Sequence, residues 1–266
     1  MYSFTYVKPG SLAEVSAFLQ ANPDARALAG GMTLIPTLKA RLAQPSHLVD
    51  IGGLEELKGI ELKDGALVIG AATKHGEVAG SAQVRVAIPA LAELAERIGD
   101  PAVRNCGTMG GSVANNDPAA DYPAAVLGLG ATMITDQREI AADHFFQGMF
   151  TTALEPGELI VRLSFPVPKR AAYEKFAHPA SGYAMTGVFV AETHNGVRVA
   201  VTGAGPGVFR WREAEAALGK NLAVEALAGL SVPAANMNED IHGSREYRAN
   251  LVSVLAKRAV ARVTGR

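Results

Sequence analysis

The sequence predicts an α+β fold in three units, and three observations carry that expectation. Residues 1–57 read strand, helix, strand, with a glycine pair following the second of their strands. Residues 58–168 open on a β-hairpin signal and continue with helices of a different pattern. Residues 169–266 begin just past a Pro-Lys-Arg stretch, Pro166 to Arg170, and set two strands ahead of a run of helices.

Taken in order, Phe4 to Lys8 alternates as a short strand. Ser11 and Glu14 have capping-box spacing, and Leu12, Val15, Phe18 and Leu19 give a helical apolar face. Ala25 to Leu28 is a brief strand that delivers the glycine pair. Leu34, Leu38 and Leu42 then recur at helical spacing, with Thr33 as N-cap and Pro36 in the first turn, where a missing N–H costs little. His47 to Ile51 is the next strand. In the second unit, Gly59–Leu62 and Ala66–Ile69 flank the turn Lys63-Asp64-Gly65. Val84 to Ile98 reads as one amphipathic helix, Gly99 to Asn116 as irregular, and Asp117-Pro118 as the N-cap and first residue of a helix reaching Leu129. Glu158 to Phe165 is a strand halted by Pro166 and Pro168. In the third unit, Met185–Glu192 and Val197–Thr202 are strands joined at Asn195-Gly196, followed by helices near Trp211–Leu218, Val224–Ala228 and Arg245–Val263.

Bulk properties narrow the function classes. The 266 residues carry a formal net charge of −1 and no dense Lys/Arg block, which disfavours nucleic acid and anionic membranes as partners. The longest uncharged apolar run, Tyr122 to Thr135, is too short for a membrane span and is broken by Pro123, Gly128 and Gly130. The N-terminus lacks a secretory pattern, so a cytoplasmic protein is expected. The single cysteine, Cys106, cannot by itself hold an iron–sulfur cluster or a structural zinc. The six histidines lack metal-site spacing, so no metal is expected on this chain.

The chemistry-bearing features are two glycine-rich loops, Ala29-Gly30-Gly31-Met32-Thr33-Leu34 and Thr108-Met109-Gly110-Gly111-Ser112-Val113-Ala114-Asn115. Glycine permits close backbone approach and positive φ, so several N–H groups can converge on one anion. A helix beginning just beyond adds its unpaired N–H groups and the positive end of its dipole. Thr33 and Thr108 add hydroxyls. Asp121 would repel a phosphate and suits a ribose or ribityl hydroxyl instead. From the residues alone, two tight turns with a first-turn acid account for the pattern as well as a diphosphate cradle does. Other nucleotide signatures fail: Gly203-Ala204-Gly205-Pro206-Gly207 lacks dinucleotide spacing, and Gly219-Lys220 is no P-loop. Gly110-Gly111-Ser112-Val113-Ala114 lacks the final glycine of a nucleophile elbow.

Longer stretches carry a resemblance. Ala29 to Pro36 followed by Leu48-Val49-Asp50-Ile51, the run from Ile98-Gly99-Asp100-Pro101 through Asn115-Asn116-Asp117-Pro118 to Pro123, and the segments Glu155–Ile160, Tyr173–Phe176 and Asp240–Arg248 together resemble the FAD-binding medium subunit of molybdenum hydroxylases. This is the carbon monoxide dehydrogenase and xanthine dehydrogenase family, and the resemblance runs end to end.

It implies a p-cresol methylhydroxylase-type FAD-binding fold of two α/β subdomains, plus the C-terminal α+β domain of medium subunits. By position, Ala29, Gly30, Gly31, Met32, Thr33 and Leu34 form one diphosphate loop. Thr108, Gly110, Gly111, Ser112 and Asn115 belong to the other. Asp121 lies on a sugar hydroxyl, Ile98 and Ile160 against the flavin, Lys175 near its polar edge and Tyr183 over a ring face. Met32 departs from relatives that carry a polar residue there. The family oxidises substrate at a molybdenum cofactor on a large subunit and passes electrons through two 2Fe-2S clusters on a small subunit to FAD and an external acceptor. The chain then serves as an electron-transfer subunit, in a dimer of heterotrimers, with no general base of its own.

A stand-alone flavin oxidase and a cofactor-free scaffold are the competing functions. Replacing Gly110 or Gly111 by a β-branched residue is expected to abolish FAD retention. Cys106 reads as a small buried support for the second loop, and His75 as a hydrogen-bonded structural histidine. Lys175 reads either as a stabiliser of charge on reduced flavin or as a solvated strand lysine. Arg104 reads as a phosphate contact or a surface ion pair, and Phe209 and Trp211 as core anchors.

Overall fold

The computed structural model describes residues 1–265; Arg266, the last residue of the expected third unit, lies outside them. Three larger sheets and a two-stranded ribbon, Phe146–Gly148 with Thr151–Thr152, organise the described residues. The first is parallel, with His47–Asp50 between Thr5–Val7 and Arg26–Leu28. Helix Leu12–Ala21 supplies the crossover, and its Val15 and Leu19 are buried. Ser11 caps it by accepting from the Glu14 N–H, while the Glu14 carboxylate turns to the Gly10 N–H instead of completing the box. Helix Leu34–Lys39 buries Leu38 only and stops before Leu42, which is 79% exposed rather than on an apolar face. Thr33 stands at the N-cap position but makes no side-chain cap bond.

The second sheet is antiparallel, in the order Ile60–Lys63, Ala66–Gly70, Ile160–Pro166, Thr132–Thr135, Glu139–Ala141. The hairpin at Asp64-Gly65 has both residues at positive φ, as a two-residue turn demands. Three helical readings are corrected here. Val84–Ile98 is two helices, Ala82–Ala87 and Pro89–Glu96, because Pro89 lacks an N–H and forces Ile88 out of the helical region. Gly99–Asn116 is not irregular: it holds helices Pro101–Cys106 and Met109–Asn115, capped by Asp100 and Thr108. Asp117-Pro118 opens a turn, not a helix, and helix Tyr122–Leu129 starts four residues later. The carbonyls of Pro118, Ala119 and Ala120 accept from Thr202, Gly203 and Ala184 and so are held in a non-helical course.

The third sheet runs Arg170–Ala177, Ala184–Thr193, Gly196–Thr202, Phe209–Arg210, all antiparallel. Helix Arg245–Thr264, capped by Ser244, lies across its first two strands. Helix Arg212–Lys220 packs beside Gly196–Thr202, and Val224–Leu227 is a 3-10 turn rather than an α-helix. Trp211 is buried and Phe209 half-buried in the core of this unit. The other face of the sheet, through Tyr173, Phe189 and Ala200, joins the core that surrounds helix Tyr122–Leu129. Among the described residues no helix is long and apolar enough to cross a membrane.

Candidate functional site

The parallel sheet sends its chain out at the carboxyl end of Arg26–Leu28, where open α/β sheets hold their ligands. The exit turn is Ala29 to Thr33, with Gly31 at φ +70. Among the described residues, the backbone N–H groups of residues 30 to 34 make no hydrogen bond, while those of Ile35 and Thr37 return to Gly31 and Thr33. Five consecutive unpartnered N–H groups in a glycine turn are a nest built for an oxyanion.

This nest lines a cleft of about 450 Å³. Across it stand Thr108, Ser112 and Asn115 of the second glycine segment, Ile98, Ile160, Asp121, and the turn Ser181–Tyr183 from the C-terminal unit. Every residue placed in the site by resemblance lines this cleft except Lys175.

The second segment differs from the first in kind. It is a helix, and its amides are engaged: Met109 N–H donates to the Thr73 carbonyl, Gly110 to Ala71, Gly111 to the Thr108 hydroxyl and Ser112 to the Thr108 carbonyl. It therefore offers side-chain groups, the Ser112 hydroxyl and Asn115 amide, more than a backbone cradle. A Cβ on Gly110 would meet Ala71, at 2.5 Å from its Cβ and 2.8 Å from its carbonyl oxygen. Close packing onto Ala71 by itself demands a glycine at 110. Gly111 is exposed, and a Cβ there would press only on the Thr108 hydroxyl at 2.8 Å.

Lys175, expected near the polar edge of a flavin or solvated on its strand, does not line the cleft. Its side chain is 1% exposed, and its ammonium donates to Asp121 Oδ2 and to the Arg97 carbonyl, both at 2.9 Å. It is neither solvated nor on the cleft. Asp121 is on the cleft wall and buried, with Oδ1 accepting from the Tyr173 hydroxyl at 2.5 Å. Burial raises its carboxyl above the ordinary value, and the Lys175 ammonium and Tyr173 hydroxyl offset that in part.

Three supporting residues also differ from expectation. Cys106 is exposed, and its carbonyl, not its thiol, supports the first loop by abutting Gly30. His75 is buried on the cleft wall, stacked obliquely on Tyr122, and its Nδ1 has no partner among the described residues. Burial, reinforced by Arg104, lowers it to about 4, so it is neutral at pH 7. Arg104 donates to the Ile98 and Gly99 carbonyls at 2.9 and 3.3 Å, pinning the wall rather than pairing with an acid.

Sequence reading missed Ser181 and Gly182. Their turn is secured by His178 Nδ1, which accepts from the Ala180 and Ser181 N–H groups. Pro179 to Gly182 was a readable turn, but nothing in it announced a cleft wall.

A cleft with a free backbone nest, neutral side-chain donors and an apolar wall is that of a nucleotide-binding α+β protein, and the donor set fits a flavin dinucleotide. Comparison with known proteins makes the assignment specific. Residues 2–168 match the FAD binding domain in molybdopterin dehydrogenase, and residues 169–263 match the CO dehydrogenase flavoprotein C-terminal domain. The chain belongs to this family of FAD-binding subunits of molybdenum hydroxylases. It is 35% identical to the carbon monoxide dehydrogenase medium chain of Hydrogenophaga pseudoflava, covering 97% of this chain and 96% of that one. It is 34% identical to the glyceraldehyde dehydrogenase medium chain of Sulfolobus acidocaldarius, covering 98% of each. The solved reconstituted CO dehydrogenase from Oligotropha carboxidovorans includes a chain that superposes with a TM-score of 0.92 at 35% identity, covering 100% of this chain and 99% of that one.

Proposed function

We propose that this chain is the electron-transferring FAD subunit of a cytoplasmic three-subunit molybdenum hydroxylase, assembled as a dimer of heterotrimers. It accepts electrons from 2Fe-2S clusters on a small subunit, after substrate oxidation at the molybdenum cofactor of a large one, and delivers them to an external acceptor. The observation that carries the reading is the row of five unpartnered N–H groups, residues 30 to 34, opening on the cleft. Half-buried or exposed on the open cleft, these five donors are free to converge on a diphosphate. The medium-chain names of the relatives support the partner arrangement.

On this reading the first loop binds the diphosphate through backbone N–H groups, and Thr108, Ser112 and Asn115 add side-chain donors. Ile98 and Ile160 give the ring system an apolar wall, and Tyr183, half exposed at the mouth, shields it from water. Bound flavin takes up electrons singly and gives them up in pairs, which suits a junction between one-electron clusters and a two-electron acceptor.

The test is purification of the chain with and without its partners. One FAD per chain, bound noncovalently and bleached by organic substrate only when both partners are present, is the expected result. Bleaching by substrate with the chain alone would replace this reading by a stand-alone flavin oxidase, and a folded protein unable to bind FAD would replace it by a scaffold.

A further inference from the structure

Lys175 lies behind the cleft wall, yet it touches two groups that shape that wall. One is the Asp121 carboxylate, and the other is the Arg97 carbonyl, at the end of helix Pro89–Glu96 and next to Ile98. Arg97 answers by donating from Nη2 to the Lys175 carbonyl at 2.8 Å. Its guanidinium also stands over the Tyr173 ring, 5.9 Å from the centroid. The strand Arg170–Ala177 is thereby fastened to the wall at two points by two side chains, Tyr173 and Lys175, that lie on the same face.

Both known partners of Asp121 are donors, one to each oxygen. A carboxylate serves two donors fully only when ionised, and each oxygen then keeps acceptor capacity for a further one. A carboxylate buried without compensation takes up a proton instead. The charged and titratable groups facing Asp121 are Lys175 and Tyr173 on the strand, Arg97 at the helix end, Tyr122 beside it and Tyr183 at the cleft mouth. Among the described residues only Lys175 makes an ion pair with it.

We infer that Lys175 and Tyr173 are positioning residues that act through Asp121, holding its carboxylate ionised and aimed so that it accepts a hydrogen bond from a sugar or ribityl hydroxyl of the bound flavin nucleotide. The inference rests on the FAD reading above. It makes the Asp121 wall selective: it takes a neutral hydroxyl and turns away the diphosphate, which belongs to the nest at residues 30 to 34.

The experiment titrates full-length wild type, Lys175→Met, Lys175→Arg, Tyr173→Phe, Asp121→Asn and the double variant Asp121→Asn/Lys175→Met with FAD. Flavin fluorescence is followed from pH 6 to 9. Lumiflavin, which has the ring system and none of the hydroxyls, is the second probe. Lys175→Met should weaken FAD roughly ten- to hundredfold at pH 7, as expected for a charge-assisted hydrogen bond, and recover as rising pH ionises the carboxyl. Wild type and Lys175→Arg should be flat over this range, and Tyr173→Phe should lie between. Asp121→Asn should be weak at every pH, the double variant no weaker than Asp121→Asn, and lumiflavin indifferent to all five. A Lys175→Met loss that adds in full to that of Asp121→Asn, or that is shared by lumiflavin, overturns the inference. Should Lys175→Met not fold, the neutral double variant and Tyr173→Phe decide it by the same criteria. A folded wild type that binds no FAD defeats the parent reading, whereas FAD binding that ignores Lys175 defeats this inference alone.

Discussion

Gly30 rests directly on the backbone of Cys106. A Cβ at position 30 would overlap the Cys106 carbonyl oxygen and come within 2.7 Å of the Gly107 Cα. The two glycine segments are thus braced against each other by main chain, and the cleft between them owes its shape to that contact. Main chain cannot swing aside as a long side chain can. Gly30→Ala is therefore expected to cost about 1–3 kcal/mol, the range for overpacking, and to release FAD with it. Gly111→Ala meets only a rotatable hydroxyl and should change the unfolding midpoint far less. Urea denaturation of the two variants makes the comparison, and equal losses would remove the bracing argument.

Glu158 anchors the segment that carries Leu159 and Ile160 to the cleft. Its buried carboxylate accepts from Arg138 Nε and Nη2 at 3.0 Å each, from Thr135 Oγ1 at 2.7 Å and from the Glu155 N–H at 2.8 Å. Those donors hold its carboxyl below the ordinary value although burial pushes the other way. A carboxyl lowered by folding stabilises the protein above its unfolded value near 4.5, and that contribution fades as pH falls through the folded value. Glu158→Ala should lose about 1–3 kcal/mol at pH 7, since it strands buried donors, and the gap to wild type should narrow in acid. Chemical denaturation at pH 7 and pH 3.5 reads the difference, and a gap that stays constant refutes the assignment.

Legibility in the sequence followed how local the determining interaction was. The strands Thr5–Val7, Arg26–Leu28 and His47–Asp50 and the hairpin at Asp64-Gly65 were readable because alternation and turn chemistry sit within a few residues. Helix Arg245–Thr264, read as Arg245–Val263, was legible as one long helical run. The late start at Tyr122 was not readable, since the groups that capture the Pro118 and Ala120 carbonyls lie on a strand some eighty residues away. Nor was the burial of Lys175, whose partners Arg97 and Asp121 are 78 and 54 positions distant. The two glycine loops looked alike in sequence and differ in structure because Thr73 and Ala71 engage the amides of one, and among the described residues none engages those of residues 30 to 34.

His75 gives the fold an acid-sensitive point. It is buried on the cleft wall and titrates at about 4, with burial the main cause and Arg104 the second, against about 6.5 in an unfolded chain. The unfolded state therefore binds the proton first. Stability is complete above pH 6.5, falls as pH drops from 6.5 to about 4, and levels off below. At roughly 1.4 kcal/mol per pH unit, that gap corresponds to about 3.5 kcal/mol. His75→Gln should be less stable at pH 7 through lost packing on Tyr122, yet shallower in its pH dependence by about that amount. Denaturant unfolding at half-unit steps from pH 7 to 4 checks the slope, and parallel curves for the two proteins would show that His75 takes up no proton on unfolding.

Met32 offers the most direct test of the nest. Its side chain is 41% exposed, so substitution there should leave stability within about 0.5 kcal/mol of wild type. Its backbone N–H, however, is the middle one of the five unpartnered donors. Met32→Asp sets a carboxylate beside the place where phosphate charge must collect. Repulsion, together with competition for the same N–H groups, should raise the FAD dissociation constant at least about tenfold at low salt, and less at 0.5 M salt, where charges are screened. Met32→Lys should shift affinity the opposite way under the same conditions, and Met32→Ala should scarcely move it, since the donors belong to the backbone. If Met32→Asp binds FAD as wild type does, the diphosphate does not sit in the turn at residues 30 to 34.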